Sequence, residues 1–354
     1  PIFQRRIDDV PSSGPVSDEN RVVIGQASGM VEAFNLSNSY SAWKVKTTQP
    51  VTAQPILTER VVVIASQDGK VYVLENSTRF PQGLFRYVTG GPISASLGTY
   101  GEVHLPDPTR PTARTYTLLV PSHDHSLYAI DLFTGETRWK VATGAAIDQQ
   151  PLQTDNQIYV QNQAGSITEL NLDAIWTVFD GDGRPLKSFP DNKKADADAY
   201  AQSLEVKTGE TFPVSARPVW TTQAEPGVLL ALGKKNLYFL SKTNSLFIVS
   251  REGGKILADS KIMLNQYGLD LRQLSLHWTN SVTDRIYLAS PSGLVVCLHE
   301  QGLSEPYFLR SPRTVPFGFI PREDDEKKSG GNAATAPMPE PGNAEDPNKE
   351  NPSQ

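Results

Sequence analysis

The chain has 354 residues, 38% hydrophobic and 20% charged, and no apolar run approaches the roughly 18 residues a bilayer crossing needs, which excludes a membrane-spanning helix. Its 33 basic against 39 acidic residues leave a net charge of −6, with no basic footprint for nucleic acid or anionic lipid. A single cysteine, Cys297, rules out an intramolecular disulfide and a cysteine-based zinc site, and it suits an exported bacterial protein as well as a cytosolic one.

The sequence opens on Pro1 with no initiator Met and no signal-peptide h-region, as happens when a signal or lipoprotein segment has been removed or left out. From Val22 onward a pair of short β-rich runs returns six times. The first members are Val22-Val23-Ile24, Val62-Val63-Ile64, Leu118-Leu119-Val120, Ile158-Tyr159-Val160, Leu237-Tyr238-Phe239 and Ile286-Tyr287-Leu288. The second members are Val31–Asn35, Val71–Glu75, Leu127–Asp131, Ile167–Asn171, Leu246–Ser250 and Val295–His299. Between them stand turn formers such as Gln67-Asp68-Gly69, Gln163-Ala164-Gly165 and Lys242-Thr243-Asn244, where Gly or Asn tolerates positive φ, so each pair reads as a hairpin.

An outer strand follows each hairpin, marked by the aromatic anchors Trp43, Phe85, Trp139 and Phe308. Inner strands then begin at Val51–Pro55, Ile93–Ser96, Ile147–Pro151 and Val214–Pro218, with Val10–Ser13 as the first. Cys297 falls in the column of Ala33 and Ala129, which predicts a small buried strand residue. A strand unit recurring every 40 to 50 residues cannot bury its faces alone and must stack on its copies, so the fold expected is an all-β propeller of four-stranded antiparallel blades. Six blades are favoured and seven are possible. The ring closes where the termini meet, either with Ile2–Arg6 completing the last blade or with both ends making a degenerate seventh.

The domain expected spans residues 1–320, with two rim insertions at 98–114 and 174–210. In the first, Pro106, Pro108 and Pro111 oppose regular structure; in the second, residues 191–202 carry alanine-rich spacing that suits a short helix. Residues 323–354 hold eight Asp or Glu against three Lys, five of the six excess negative charges, and no aromatic, Val, Ile or Leu. Such a segment cannot offset its ordering entropy and is expected to be a disordered tail.

The string Ser126-Leu127-Tyr128-Ala129-Ile130-Asp131-Leu132-Phe133-Thr134-Gly135-Glu136-Thr137-Arg138-Trp139 closely resembles the repeat of pyrroloquinoline-quinone (PQQ)-like propellers, with its LYALD-type strand, TG turn and outer tryptophan. Gly29 to Trp43 resembles it with Ser37-Asn38-Ser39 in place of the TG turn, and the likeness runs over roughly residues 10 to 310. That superfamily includes quinoprotein dehydrogenases and cofactor-free scaffolds such as the lipoprotein of the bacterial outer-membrane assembly machine. The enzymes typically use eight blades, a vicinal cysteine pair and a calcium site; this chain has one cysteine and a smaller ring. The resemblance therefore implies the scaffold branch, and fold alone does not carry the chemistry across.

Individual motifs add little chemistry. His123-Asp124-His125 has metal-ligand residue types but sits in a hairpin turn, and Asp180-Gly181-Asp182-Gly183 lacks the spaced ligands and terminal Glu of a calcium loop. The function expected is a non-catalytic, monomeric platform for a protein or peptide partner in the bacterial periplasm or cell envelope, with no cofactor and no nucleic acid. The alternative is a diverged quinoprotein enzyme or small-ligand binder using the central channel. Candidate contact residues are Tyr100, His104 and Arg110 in the first insertion, with His277 and Trp278 at the channel.

Overall fold

Branched and aromatic residues alternating with turn formers give strands at all six expected hairpins. The computed structural model describes residues 6–309 apart from 19, 59–60, 77–80, 104–113, 133, 155–156, 180–184, 191–192 and 261–269. The chain divides into two compact units, Pro1–Ile320 and Pro321–Gln354, and every described residue belongs to the first.

Blade one consists of β1 (Val16–Ser17), β2 (Arg21–Gly25), β3 (Met30–Asn35) and β4 (Ser41–Lys46); blade two, of β5 (Ile56–Leu57), β6 (Val61–Ala65), β7 (Lys70–Glu75) and β8 (Gly83–Val88). Blade three comprises β9 (Gly98–Val103), β10 (Arg114–Pro121), β11 (Ser126–Asp131) and β12 (Thr137–Ala142). Blade four is larger: β13 (Leu152–Gln153), β14 (Gln157–Gln161), β15 (Ser166–Phe179), β16 (Pro185–Pro190) and, after α1 (Lys194–Ser203), β17 (Lys207–Gln223). Blade five holds β18 (Gly227–Leu232), β19 (Asn236–Ser241), β20 (Leu246–Ser250) and β21 (Ile256–Ser260). Blade six has β22 (Leu276–His277), β23 (Ile286–Ala289) and β24 (Val295–Leu298). All neighbours within these sheets pair antiparallel, as a β-propeller requires.

Period-two alternation makes each blade two-faced, and that is what stacks the blades. Val31 and Ala33 meet Val62, Ile64 and Leu74 of blade two. Val71 and Val73, on the opposite face, meet Leu118, Val120, Tyr128 and Ile130 of blade three. Leu127, Ala129 and Trp139 pack on Ile158, Val160 and Leu170, and Tyr159 and Ile167 on Leu237, Phe239 and Val249. Leu240 and Leu246 close the series against Ile286 and Leu288. Each such aliphatic side chain contributes about 1.5–3 kcal/mol on full burial. Among the described residues no matching core joins blade six to blade one, and residues 1–5 and 310–320, on which the expected closure falls, lie outside the described set.

Polar stitches repeat as regularly as the core. Thr47, Thr89 and Thr143 leave the outer strands and donate their hydroxyls to the turn carbonyls of Gly29, Gly69 and His125 at 2.8, 3.0 and 3.1 Å. Just before the inner strands, Ser12 Oγ donates to Val51 O, Thr52 Oγ1 to Ser94 O, Gln54 Nε2 to Pro15 O and Gln150 Nε2 to Leu97 O, each bridging neighbouring blades. Small polar residues are needed there because the inner segments of adjacent blades bond each other.

Five expectations need correction. The runs at 10–13, 51–55, 93–96 and 147–151, expected to begin inner strands, form no strand themselves; they precede the inner strands β1, β5, β9 and β13 and are held by bonds between neighbouring blades instead of by a ladder. Val214–Pro218 does not begin an inner strand: it lies within β17, the outer strand of blade four, where Trp220 stands opposite Glu169 as Trp43 stands opposite Ala33. The inner strand of blade five is β18 instead. Phe308 is 61% exposed and anchors no outer strand; its backbone bridges to Thr283. Cys297 keeps its column but is exposed, because no blade covers that face of β24 among the described residues. Gly98–Val103, assigned to an irregular insertion, is the strand β9, and Pro106, Pro108 and Pro111 lie outside the described residues.

Candidate functional site

Strand direction divides the connections between two rims. In every blade the connection from the second to the third strand lies at one end, and those from first to second and from third to fourth lie at the other. The first end is a turn rim, closed by tight turns with left-handed residues at Gly29, Gly69, His125, Gly165, Asn244 and Gly293. The second end is an insertion rim, because both long insertions leave from it, on the adjacent blades three and four.

On blade three the β9–β10 hairpin outgrows its sheet. β11 stops pairing at Asp131 opposite Thr117, whereas Arg114, Thr115 and Tyr116 continue to pair with Val103, Glu102 and Gly101. On blade four β15 and β17 run past the blade together, β16 pairs with the far part of β15 from Ile175 to Phe179, and α1 packs on them. Ala197 and Ala201, one turn apart on α1, are buried with Val178 and Phe189, and Tyr200 and Val206 pack around them. The helix expected over 191–202 is thus found at Lys194–Ser203, ending where Glu205 takes φ 56° and Val206 N–H bonds back to Ala201 O. The Lys187 ammonium lies 5.0 Å from the ring centres of both Phe189 and Tyr200, a cation–π clamp on this small core. Leu186 and Leu204 are exposed on the same projection.

Of the residues singled out from sequence, Tyr100 lies on β9 opposite Thr117, while His104 and Arg110 lie outside the described residues. His277 pairs with Leu288 on β23, and its buried Nδ1 has no hydrogen-bond partner. Trp278, 49% exposed, stacks on Tyr287 with ring centres 5.7 Å apart and planes within 7°. Trp278 opens the first-to-second connection of blade six, so it and the blade-three hairpin share the insertion rim, although blades four and five stand between them. The exposed blade-four residues Leu186, Lys187 and Leu204 have no signal in the repeat, since the whole projection lies outside its period.

The turn rim explains the His-Asp-His string. His123 Nε2 meets Ser94 Oγ at 2.7 Å, and His125 occupies the left-handed turn position. Asp124 accepts from Tyr128 and pairs with Lys140 at 3.4 Å; burial pushes its carboxyl up, but bonds from Tyr128, Ser122 and Lys140 bring it below the usual range. Blade two repeats the clamp: Asp68 accepts from Thr48, Lys70 and Tyr72 at 2.5, 2.9 and 2.8 Å. These carboxylates fasten turns. Among the described residues no three of His, Cys, Asp and Glu gather as a metal site would need.

A search of the curated proteins finds no match. Among solved structures the chain is similar to BamB from Moraxella catarrhalis, at 17% identity and a TM-score of 0.53, over 89% of this chain and 76% of that one, a likeness of fold. The computationally designed Ika8 protein aligns at 13% identity over 81% of this chain and 70% of its own, with a TM-score of 0.48. The sequence profile PQQ_2, described as outer membrane protein assembly factor BamB, matches residues 106–305, more than half of the chain, and the chain belongs to that family.

Proposed function

We propose that this propeller is a non-catalytic scaffold of the bacterial cell envelope that docks a protein or peptide partner on its insertion rim. One observation carries the reading: both long insertions leave from one rim on neighbouring blades, while the opposite rim carries the tight second-to-third-strand turns and the links from blade to blade. Loops and projections on a rigid stack present contact surface at little ordering cost. The family description, an assembly factor, supports a protein partner and an envelope address. The channel supports a small-ligand site less well, since Ser12, Thr52, Gln54 and Gln150 use their donors on neighbouring blades.

Tyr100, His104, Arg110, His277 and Trp278 are the proposed contacts, joined by Leu186, Lys187 and Leu204 of the blade-four projection. The test is crosslinking and pull-down from the native source with the tagged chain and with a variant carrying alanine at the first five positions. Loss of two anchors at more than 1 kcal/mol each lowers partner recovery by about tenfold or more. Recovery equal to that of the unaltered chain contradicts this placement. Envelope fractionation of the full natural protein tests the address.

A further inference from the structure

The blade-four projection is joined to its blade by a narrow neck. β14 pairs with β15 only as far as Asn171, and β16 takes up pairing only from Ile175. Between them β15 has a single partner, β17. There the ladder also slips: Leu172 faces Ala216 and Asp173 faces Ser215, but Ile175 faces Thr211, so Phe212, Pro213 and Val214 stand opposite Ala174 alone. Pro213 offers no backbone N–H to the ladder.

On either side of the neck the packing is firm. Below it, Leu172 and Ala216 belong to the core between blades three and four. Beyond it, Val178, Phe189, Ala197 and Ala201 form a core of their own that shares no residue with any blade core. Two packed bodies joined by two strands and a bulge have a soft place between them, because among the described residues no side-chain core crosses it.

We propose that the distal projection, β16 and α1 with the far ends of β15 and β17, is a hinged lever that moves as one body about Asp173–Ala174 and Thr211–Ser215. On the docking function proposed above, it closes over a partner seated on the insertion rim; the hinge itself does not depend on that function. Ala199 on α1 and Glu136 on the β11–β12 connection of blade three are both exposed and report on the angle between projection and propeller.

The experiment is pulsed electron spin resonance on the full chain without partner, with Cys297→Ser and nitroxides at Ala199→Cys and Glu136→Cys. A control pair, Glu136→Cys with Lys242→Cys, lies wholly within the propeller. The expected distance distribution is about twofold wider for the projection pair than for the control. Hydrogen exchange on the unlabelled chain completes the test: amides of α1 stay protected while those flanking Ala174 exchange about tenfold faster. A distribution as narrow as the control overturns the hinge. So does a wide distribution with unprotected α1 amides, which would mean local unfolding. Either result leaves the docking proposal standing, because no partner enters the measurement.

Discussion

Replacing Asp68 by Asn tests whether the repeated turn clamps hold the blades by charge. The Asp68 side chain is 6% exposed, and its carboxylate gathers Thr48, Lys70 and Tyr72 at the start of β7. Burial pushes the carboxyl up, but the hydrogen bonds from Thr48, Lys70, Tyr72 and the Lys70 amide outweigh it and bring the pKa from 3.8 to about 2. Burial and the Asp68 bond in turn raise the Tyr72 phenol to about 12. Folding therefore depresses the carboxyl, so its contribution is complete above the unfolded value and disappears as pH falls through about 2. The gap corresponds to about 2 kcal/mol at pH 7, and linkage reduces it to about 1 kcal/mol at pH 3. Urea unfolding of wild type and Asp68→Asn, followed by tryptophan fluorescence between pH 7 and pH 3, should show the difference narrowing by half. A difference below about 0.5 kcal/mol at pH 7, in the range of an ordinary surface substitution, or one that does not change with pH, refutes the charge-based clamp.

Three further outcomes follow from the same geometry. Gly165→Ala, at φ 85° with its new Cβ 2.2 Å from Ala224 O, should cost more than about 3 kcal/mol, whereas Gly293→Ala, at φ 96° in open space, should cost about 1 kcal/mol; equal losses in denaturant titration would contradict the steric assignment. Trp220→Ala should destabilise by about 3 kcal/mol and Phe308→Ala by less than about 0.5 kcal/mol, and a reversed order in thermal unfolding would restore Phe308 as an anchor. If residues 2–6 complete blade six, the aromatic column puts residue 3 beside Cys297, and Phe3→Cys should form a disulfide with it under mild oxidation, seen as a monomeric shift on non-reducing gels. Free thiols in both positions would mean that the ring closes otherwise.

The repeat was legible because its physics is local. Val71-Tyr72-Val73-Leu74 and Leu127-Tyr128-Ala129-Ile130 alternate with period two, and Gly69 and Gly165 mark left-handed turns, so hairpins and their stacking could be read without coordinates. The outer strand of blade four was not legible, because an insertion separates Trp220 from the hairpin that it anchors, and Val214–Pro218 imitates an inner strand by composition. Burial at Cys297 depends on what packs over β24, a long-range fact that its own column cannot contain. Tyr100 stands out from the first insertion by its place in the period, whereas the exposure of Lys187 and Leu204 on one projection depends on its fold.

Lysine crosslinking with mass spectrometry in the native envelope is the most direct measurement of partner docking. Lys187 and Lys193 stand on the blade-four projection, whereas Lys46, Lys70 and Lys242 stand at the turn rim, where Lys46 Nζ reaches Ser28 O and Lys70 pairs with Asp68. Partner crosslinks concentrated on Lys187 and Lys193 are the expected result. Partner crosslinks confined to Lys46, Lys70 and Lys242 would place the docking surface on the opposite rim.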